Sequence, residues 1–282
     1  MVYLDGRYLP LSDAKVSVMD RGFLFGDGIY EVIPVYSRRP FRLAEHLARL
    51  GTSLAGIRLP NPHTEREWMD LVVRMVELGD TDDQSVYLQV TRGPMAARRH
   101  IFPEVVRPTV FMMTEGLAMP APEQRDNGIT AVGAIDLRWL RCDLKTTSLL
   151  ANCLLRQLAV DAGCVEAILF RDGYLTEGAA SNIFVVDGGR LLAPPKDHLM
   201  LPGITYDVVL EIASANGLPI EVRKITEDEV RSADELWLTS STKEVLPIVA
   251  LDGRPVGTGR PGPWFAQMHR WYQEFKRTVM RG

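Results

Sequence analysis

The chain holds only six lysines against 26 arginines, and one of the six stands where a covalent catalyst would be placed. Lys145 lies in Cys142-Asp143-Leu144-Lys145-Thr146-Thr147-Ser148-Leu149-Leu150, where a strand hands over to an apolar helix. An ammonium in such a junction must be paired or give up its proton, and desolvation lowers an amine's pKa in the way Schiff-base formation requires. The plainer alternative is an amine that reaches water along its own stem. Thr176-Glu177-Gly178-Ala179-Ala180-Ser181-Asn182 sets a carboxylate before small residues, which leaves room for a flat group or simply makes a hairpin turn. Leu199-Met200-Leu201-Pro202-Gly203-Ile204-Thr205 leads into a helix, where free N–H groups and a hydroxyl suit an anion, or where Thr205 merely caps. Thr239-Ser240-Ser241-Thr242 gathers four hydroxyls at a strand end. Arg98 and His100 stand two apart, and in an extended loop residues two apart point to one side. On its own this reads as a basic surface loop.

Other chemistries lack their residues. There is no GxxxxGK[ST], HExxH or GxSxG, and the five histidines are dispersed, so no metal site is expected. Gly257 to Gly262 matches GxGxxG formally but contains Pro261 and is followed by only 20 residues, too few for a dinucleotide unit; it reads as a surface loop. A net charge of −4 with both signs interspersed argues against a nucleic-acid or anionic-membrane surface. No run approaches the roughly 20 apolar residues that cross a bilayer. The start, MVYLDGRYLPLSDA, lacks a basic segment followed by an apolar one, so no secretory signal is read and a cytoplasmic location is expected. Cys142, Cys153 and Cys164 form no CxxC pair and read as buried small hydrophobes in a reducing compartment.

The elements that must position these residues follow from periodicity and punctuation. Val2 to Tyr8 carries a turn at Asp5-Gly6, and Ile29 to Tyr36, Ser85 to Thr91 and Thr109 to Thr114 read as strands. Leu43 to Leu54 has helical spacing and stops near Gly56; Thr64 with Glu67 forms a capping box for a second helix ending at Gly79. Glu115 to Gly128, polar with two prolines, contains the expected linker. The domains are then 1–116, a linker at 117–128, and 129–282. In the second half Ile129 to Asp136, Val165 to Phe170, Ile183 to Val186 and Glu235 to Thr239 read as strands. Thr147 to Ala162, Thr205 to Ala215 and Trp264 to Met280 read as helices, and Asp172-Gly173 as a turn.

In order and spacing, the passages around Lys145, Glu177, Leu201 to Thr205 and Ser240-Ser241, with Arg21-Gly22-Phe23-Leu24-Phe25-Gly26-Asp27-Gly28-Ile29-Tyr30-Glu31, resemble the fold-type IV pyridoxal-phosphate enzymes. These include D-amino acid aminotransferases, branched-chain aminotransferases and 4-amino-4-deoxychorismate lyases. The resemblance runs from Tyr3 to about Pro247. It implies an α/β (α+β) fold, with a small N-terminal α/β domain and a larger C-terminal pseudo-barrel α/β domain. It implies pyridoxal 5'-phosphate as cofactor. Lys145 would carry it as a Schiff base and move the proton at the substrate Cα, and Glu177 would face the pyridine nitrogen and keep it protonated. By the same similarity Arg49, Ile204, Thr205, Ser240 and Ser241 hold the phosphate, while Leu201 packs on the ring face.

The stretch Arg92 to Pro103, with Arg138-Trp139-Leu140-Arg141-Cys142-Asp143, is most similar to the D-amino acid aminotransferase subgroup. That similarity implies a carboxylate trap of Tyr30 from one subunit with Arg98 and His100 from its partner. An obligate homodimer with shared active sites follows, exchanging an amino group between a D-amino acid such as D-alanine and a 2-oxo acid such as 2-oxoglutarate. A branched-chain L-aminotransferase, an (R)-amine transaminase or an aminodeoxychorismate lyase would share Lys145, Glu177 and Arg49 and differ at Tyr30, Arg98 and His100. A cofactor-free binding protein on the same fold would not need both Lys145 and Glu177. Two departures stand out: Ala179 and Ala180 occupy positions where the subgroup often has serines, and Pro34 suggests an edge in its strand.

Overall fold

The computed structural model describes residues 1–282. Two compact units emerge, Met1–Ala118 with Leu144–Leu149, and Met119–Asp143 with Leu150–Gly282. In the first, β1 (Val2–Leu4) and β2 (Arg7–Leu9) turn through Asp5-Gly6, both at positive φ, the geometry that suits a two-residue hairpin. Then come α1 (Arg21–Phe25), β3 (Gly28–Tyr36), β4 (Arg39–Pro40), α2 (Leu43–Gly56), α3 (Glu65–Leu78), β5 (Gln84–Thr91) and β6 (Thr109–Gly116). The strands form one antiparallel sheet in the order β2-β1-β6-β5-β3-β4. Strand alternation sends Ile29, Ile33, Val35, Val86, Leu88 and Val90 into one core with Leu47, Leu50 and Leu54 of α2 and Trp68, Val72 and Met75 of α3. The capping box at Thr64 and Glu67 forms as the sequence requires. Pro34 faces Ser85 of β5, and on its other side the partner strand β4 is only two residues long, so β3 is nearly an edge there.

The second unit carries α4 (Pro122–Asp126), β7 (Ile129–Ile135), α5 (Leu150–Asp161), β8 (Glu166–Arg171), β9 (Tyr174–Gly178), β10 (Asn182–Asp187) and β11 (Arg190–Ala193). It continues with α6 (Ile204–Ala215), β12 (Ile220–Val222), α7 (Glu227–Arg231), β13 (Glu235–Ser240), β14 (Glu244–Leu251), β15 (Arg254–Pro255) and α8 (Pro263–Phe275). Its mixed nine-stranded sheet runs β12-β11-β10-β13-β14-β7-β8-β9, with β15 on β14. β7 and β8 are parallel and joined through α5, and the antiparallel pairs β8/β9, β10/β11 and β13/β14 complete an α/β unit of the expected class.

Differences from the sequence reading have local causes. The helix expected from Thr147 begins at Leu150, because the Thr147 and Ser148 hydroxyls both donate to the Gly26 carbonyl and hold that stretch extended. Its end is as read: Gly163 is left-handed, with Gly163 N–H to Val160 and Cys164 N–H to Ala159. The linker stretch contains the short helix α4. Of the three cysteines expected to be buried, Cys142 is, but Cys153 is exposed on the outward face of α5 and Cys164 is half-buried just past its end. No helix is long and apolar enough to cross a membrane.

Candidate active site

In the first unit the chemistry gathers around β3. Its even spacing puts Glu31 on the same face as Ile29 and Ile33, toward α2, where an acid is fully buried and must be paired. α2 supplies the partners one helical turn apart. Arg49 donates Nε to Glu31 Oε1 and a terminal nitrogen to Oε2, each at 2.7 Å, and His46 Nδ1 lies 2.8 Å from Oε2. Burial pushes the Glu31 carboxyl up, but Arg49 and His46 together outweigh it and hold it at about 2. Burial also lowers the pKa of His46. A carboxylate only accepts, so the neutral imidazole carries its hydrogen on Nδ1 and presents Nε2 as a bare acceptor. That atom is buried without a partner.

Lys145 runs beside the same strand. Its carbonyl accepts the Tyr30 N–H at 2.9 Å, its N–H donates to Ser53 Oγ at 3.1 Å, and the next residue, Thr146, bridges to Ile29. This extra pairing is what draws Leu144–Leu149 into the first unit. The ammonium sits 4.2 Å from the centre of the Tyr30 ring, which in turn stacks on Tyr87. Arg98 and His100 are exposed on the loop between β5 and β6, and both meet one aromatic ring. The Arg98 guanidinium lies 4.9 Å and the His100 ring 5.3 Å from the centre of Phe25.

The second unit builds its own polar cluster around Glu177, near the end of β9. Arg138 grips Asp136 with Nε and a terminal nitrogen, each at 2.9 Å, and turns its other terminal nitrogen to Glu177. Glu177 Oε2 accepts from Asn182 Nδ2 at 3.1 Å and from the Leu201 N–H at 3.2 Å. Burial is the larger influence on this acid and raises it to about 7 despite Arg138. Asn182 also donates to the Leu201 carbonyl, and its Oδ1 lies where any Cβ on residue 203 would fall, 2.0 Å away. Only glycine fits there. Gly203 is the N-cap of α6, no side chain caps that helix, and Thr205 is its second residue rather than its cap. Ser240 and Ser241 follow Thr239 at the β13–β14 turn, and the buried Thr239 hydroxyl has no partner. Ala179 is buried and bonded through its backbone alone, to Ala167 and Asn152, while Ser181 donates to Glu166.

Of the residues singled out in the sequence, Tyr30, Arg49, Arg98, His100 and Lys145 thus lie in the first unit. Glu177, Leu201, Ile204, Thr205, Ser240 and Ser241 lie in the second. Glu31, His46, Asp136, Arg138 and Asn182 had been given no role. The signal for Glu31 was an acid at an inward position of an apolar strand; for Arg138 it was Asp136 two residues before it.

The family model for class IV amino-transferases matches residues 28–251. A D-alanine aminotransferase of Bacillus licheniformis is 42% identical over 93% of this chain and 92% of its own length. One of Listeria monocytogenes is 36% identical over 97% and 95%. Among solved structures, a branched-chain amino acid aminotransferase of Escherichia coli superposes with a TM-score of 0.89 at 25% identity, covering 95% of this chain and 92% of that one. A T.th. branched-chain amino acid aminotransferase, solved with pyridoxamine 5'-phosphate, also gives 0.89 at 25%, covering 100% and 94%.

Proposed function

The chain belongs to the class IV amino-transferases, enzymes that use pyridoxal 5'-phosphate, and on that premise we propose that it transfers amino groups from D-amino acids of the D-alanine type to 2-oxo acids such as 2-oxoglutarate. The donor set fits the cofactor. One of the buried side-chain polar atoms without a partner, Thr239 Oγ1, is a hydroxyl beside Ser240 that can donate, and buried polar atoms are rarely left unsatisfied. Arg49, the uncapped start of α6 at Ile204 and Thr205, and the Ser240 and Ser241 hydroxyls are the groups that would hold the phosphate. Leu201 would pack on the ring, with Glu177 at the pyridine nitrogen. When bound, the cofactor supplies an electron sink for charge developing at the substrate Cα.

Lys145 is the group that would take the proton from the substrate Cα and carry it away from that carbon, its amine serving as both nucleophile and base. Backbone bonds to Tyr30 and Ser53 anchor the main chain of Lys145, and its Nζ lies 4.2 Å from the centre of the Tyr30 ring. Glu177, fixed by Arg138, Asn182 and the Leu201 N–H, would accept a hydrogen bond from the pyridine nitrogen of the bound cofactor.

The observation that supports the substrate class is that Arg98 and His100 both lie against Phe25, so a guanidinium and an imidazole could converge on one carboxylate. With Tyr30 they would bind the substrate carboxylate, the loop residues coming from a partner subunit. A homodimer is supported by an apolar stripe on α5. Leu150, Leu154 and Leu158, each four residues apart, are all exposed, as are nearby-in-sequence Leu137 and Leu140.

The test is a purified protein incubated with pyridoxal 5'-phosphate. A visible absorption band that vanishes on borohydride reduction and is missing in Lys145→Ala is expected, whereas a colourless protein defeats the enzyme reading. A panel of D-alanine, L-leucine and an (R)-amine, with chiral analysis of the amino acid formed, then separates the D-specific reading from a branched-chain or amine transaminase.

A further inference from the structure

The loop that carries Arg98 and His100 has almost no ladder of its own. At its base Gly93 is left-handed and a Cβ there would fall 1.7 Å from the Arg107 carbonyl, so the two ends of the loop are pressed together. Beyond Gly93 a short bridge joins Asp20 to Pro94, and Met95 N–H reaches Met19. From Arg98 onward the backbone lacks strand pairing, yet three consecutive carbonyls are engaged, all by one side chain. Arg21, buried at the start of α1, donates to Arg99 O at 2.7 Å, His100 O at 3.2 Å and Ile101 O at 3.3 Å.

Arg21 is itself fixed. Its Nε donates to Asp27 at 2.6 Å, and the same carboxylate accepts two bonds from buried Arg92, at 2.8 and 3.0 Å. Arg92 in turn holds the Ile57 and Arg58 carbonyls and lies 3.7 Å from the centre of the Phe102 ring, just past the loop's tip. Phe25, the ring that Arg98 and His100 share, sits one turn on from Arg21 in the same short helix and 4.9 Å from its guanidinium.

We propose that Arg21 is a positioning residue for substrate-carboxylate recognition: it sets the backbone of residues 99–101, and so the spacing of Arg98 and His100, before substrate arrives. The inference rests on the reading of Arg98 and His100 as the carboxylate site. A planar fork with several donors can satisfy three carbonyls at once; a lysine at the same position keeps the charge against Asp27 but cannot. Because misplacing a binding group by about 1 Å can cost on the order of 100-fold, a loosened loop weakens carboxylate binding while the chemistry at Lys145 is untouched.

The experiment is a double-substitution cycle on the holoenzyme with D-alanine. Arg21→Lys is expected to raise KM about ten-fold with a much smaller fall in kcat, and the cofactor band should stay as in the unaltered enzyme. In an Arg98→Ala background the same substitution should add less than about two-fold to KM, because the group it positions is already gone. Phe102→Ala, at a partly exposed ring that leaves the buried charges in place, should repeat the KM-selective effect if Arg21→Lys fails to fold. Effects of Arg21→Lys and Arg98→Ala that multiply, or a loss confined to kcat, overturn the proposal while leaving the carboxylate site standing. An Arg98→Ala enzyme with unaltered KM removes the site and the positioning role together.

Discussion

The Arg49 guanidinium and the Glu31 carboxylate meet fork to fork, two bonds of 2.7 Å between a helix and the strand beneath it, with His46 completing the acid's shell. The acid is fully buried and the base nearly so. This arrangement fixes the arginine's direction, and it makes the pair hard to break one side at a time.

Glu31→Gln is therefore expected to cost about 3 kcal/mol at neutral pH, since it leaves Arg49 buried against an uncharged amide. The acid limb should change too. A carboxyl held at about 2 and returning to about 4.5 on unfolding contributes stability that is complete above pH 4.5 and drains as the pH falls toward 2. Urea unfolding from pH 7 to pH 3 checks both, and a variant with an unaltered midpoint and acid limb would show that the pair contributes nothing to the fold.

Glu177 predicts the opposite slope. Its carboxyl is raised to about 7 in the fold, so between pH 4.5 and 7 the unfolded chain is the form that has lost the proton, and stability from this group falls as pH rises. In cofactor-free protein Glu177→Gln should gain on the unaltered chain between pH 5 and pH 8 by up to about 3 kcal/mol. Equal differences in unfolding free energy at the two pH values would refute the raised acid.

Arg98→Ala should raise KM for D-amino acids by about ten-fold or more without altering the cofactor's absorption, the pattern of lost substrate binding. Steady-state kinetics with D-alanine measures it. An unaltered KM would reassign the loop and leave the enzyme class in place.

Leu154→Glu sets a charge in the middle of the exposed α5 stripe. If a second copy covers that stripe and each site draws on two subunits, light scattering at micromolar concentration should move from dimer to monomer, with transaminase activity falling in parallel. A variant that stays dimeric and active would put the subunit interface elsewhere.

Local punctuation made much of the fold legible before any coordinates. Asp5-Gly6 and the Thr64 and Glu67 box each close or open an element where the sequence says they should, and the helix read to Ala215 ends there, because caps and tight turns depend on a few adjacent residues. Thr147 did not, because its hydroxyl is taken by the Gly26 carbonyl, more than a hundred residues away in sequence. β11, β12 and β14 escaped notice for a related reason. β11 and β12 have only four and three residues, and β14 is buried along most of its length with Pro247 inside it, so pairing rather than alternation frames them.

The sequence by itself determined the chemistry available: one lysine in an apolar junction, an acid before small residues, hydroxyls at a strand end, and an Arg-x-His pair, in an order that marks the family. Only the tertiary structure decided how those groups are held. Glu31 became the partner of Arg49 because strand alternation turned it toward a helix that begins twelve residues later. Asn182 forced glycine at 203 because a side-chain oxygen occupies the space of a Cβ. Arg21 came to hold residues 99–101 because α1 and the β5–β6 loop fold against each other across nearly eighty residues of chain. The type of a residue limits the bonds it can make, but which bonds it does make depends on long-range packing, and that appears only when the chain is folded.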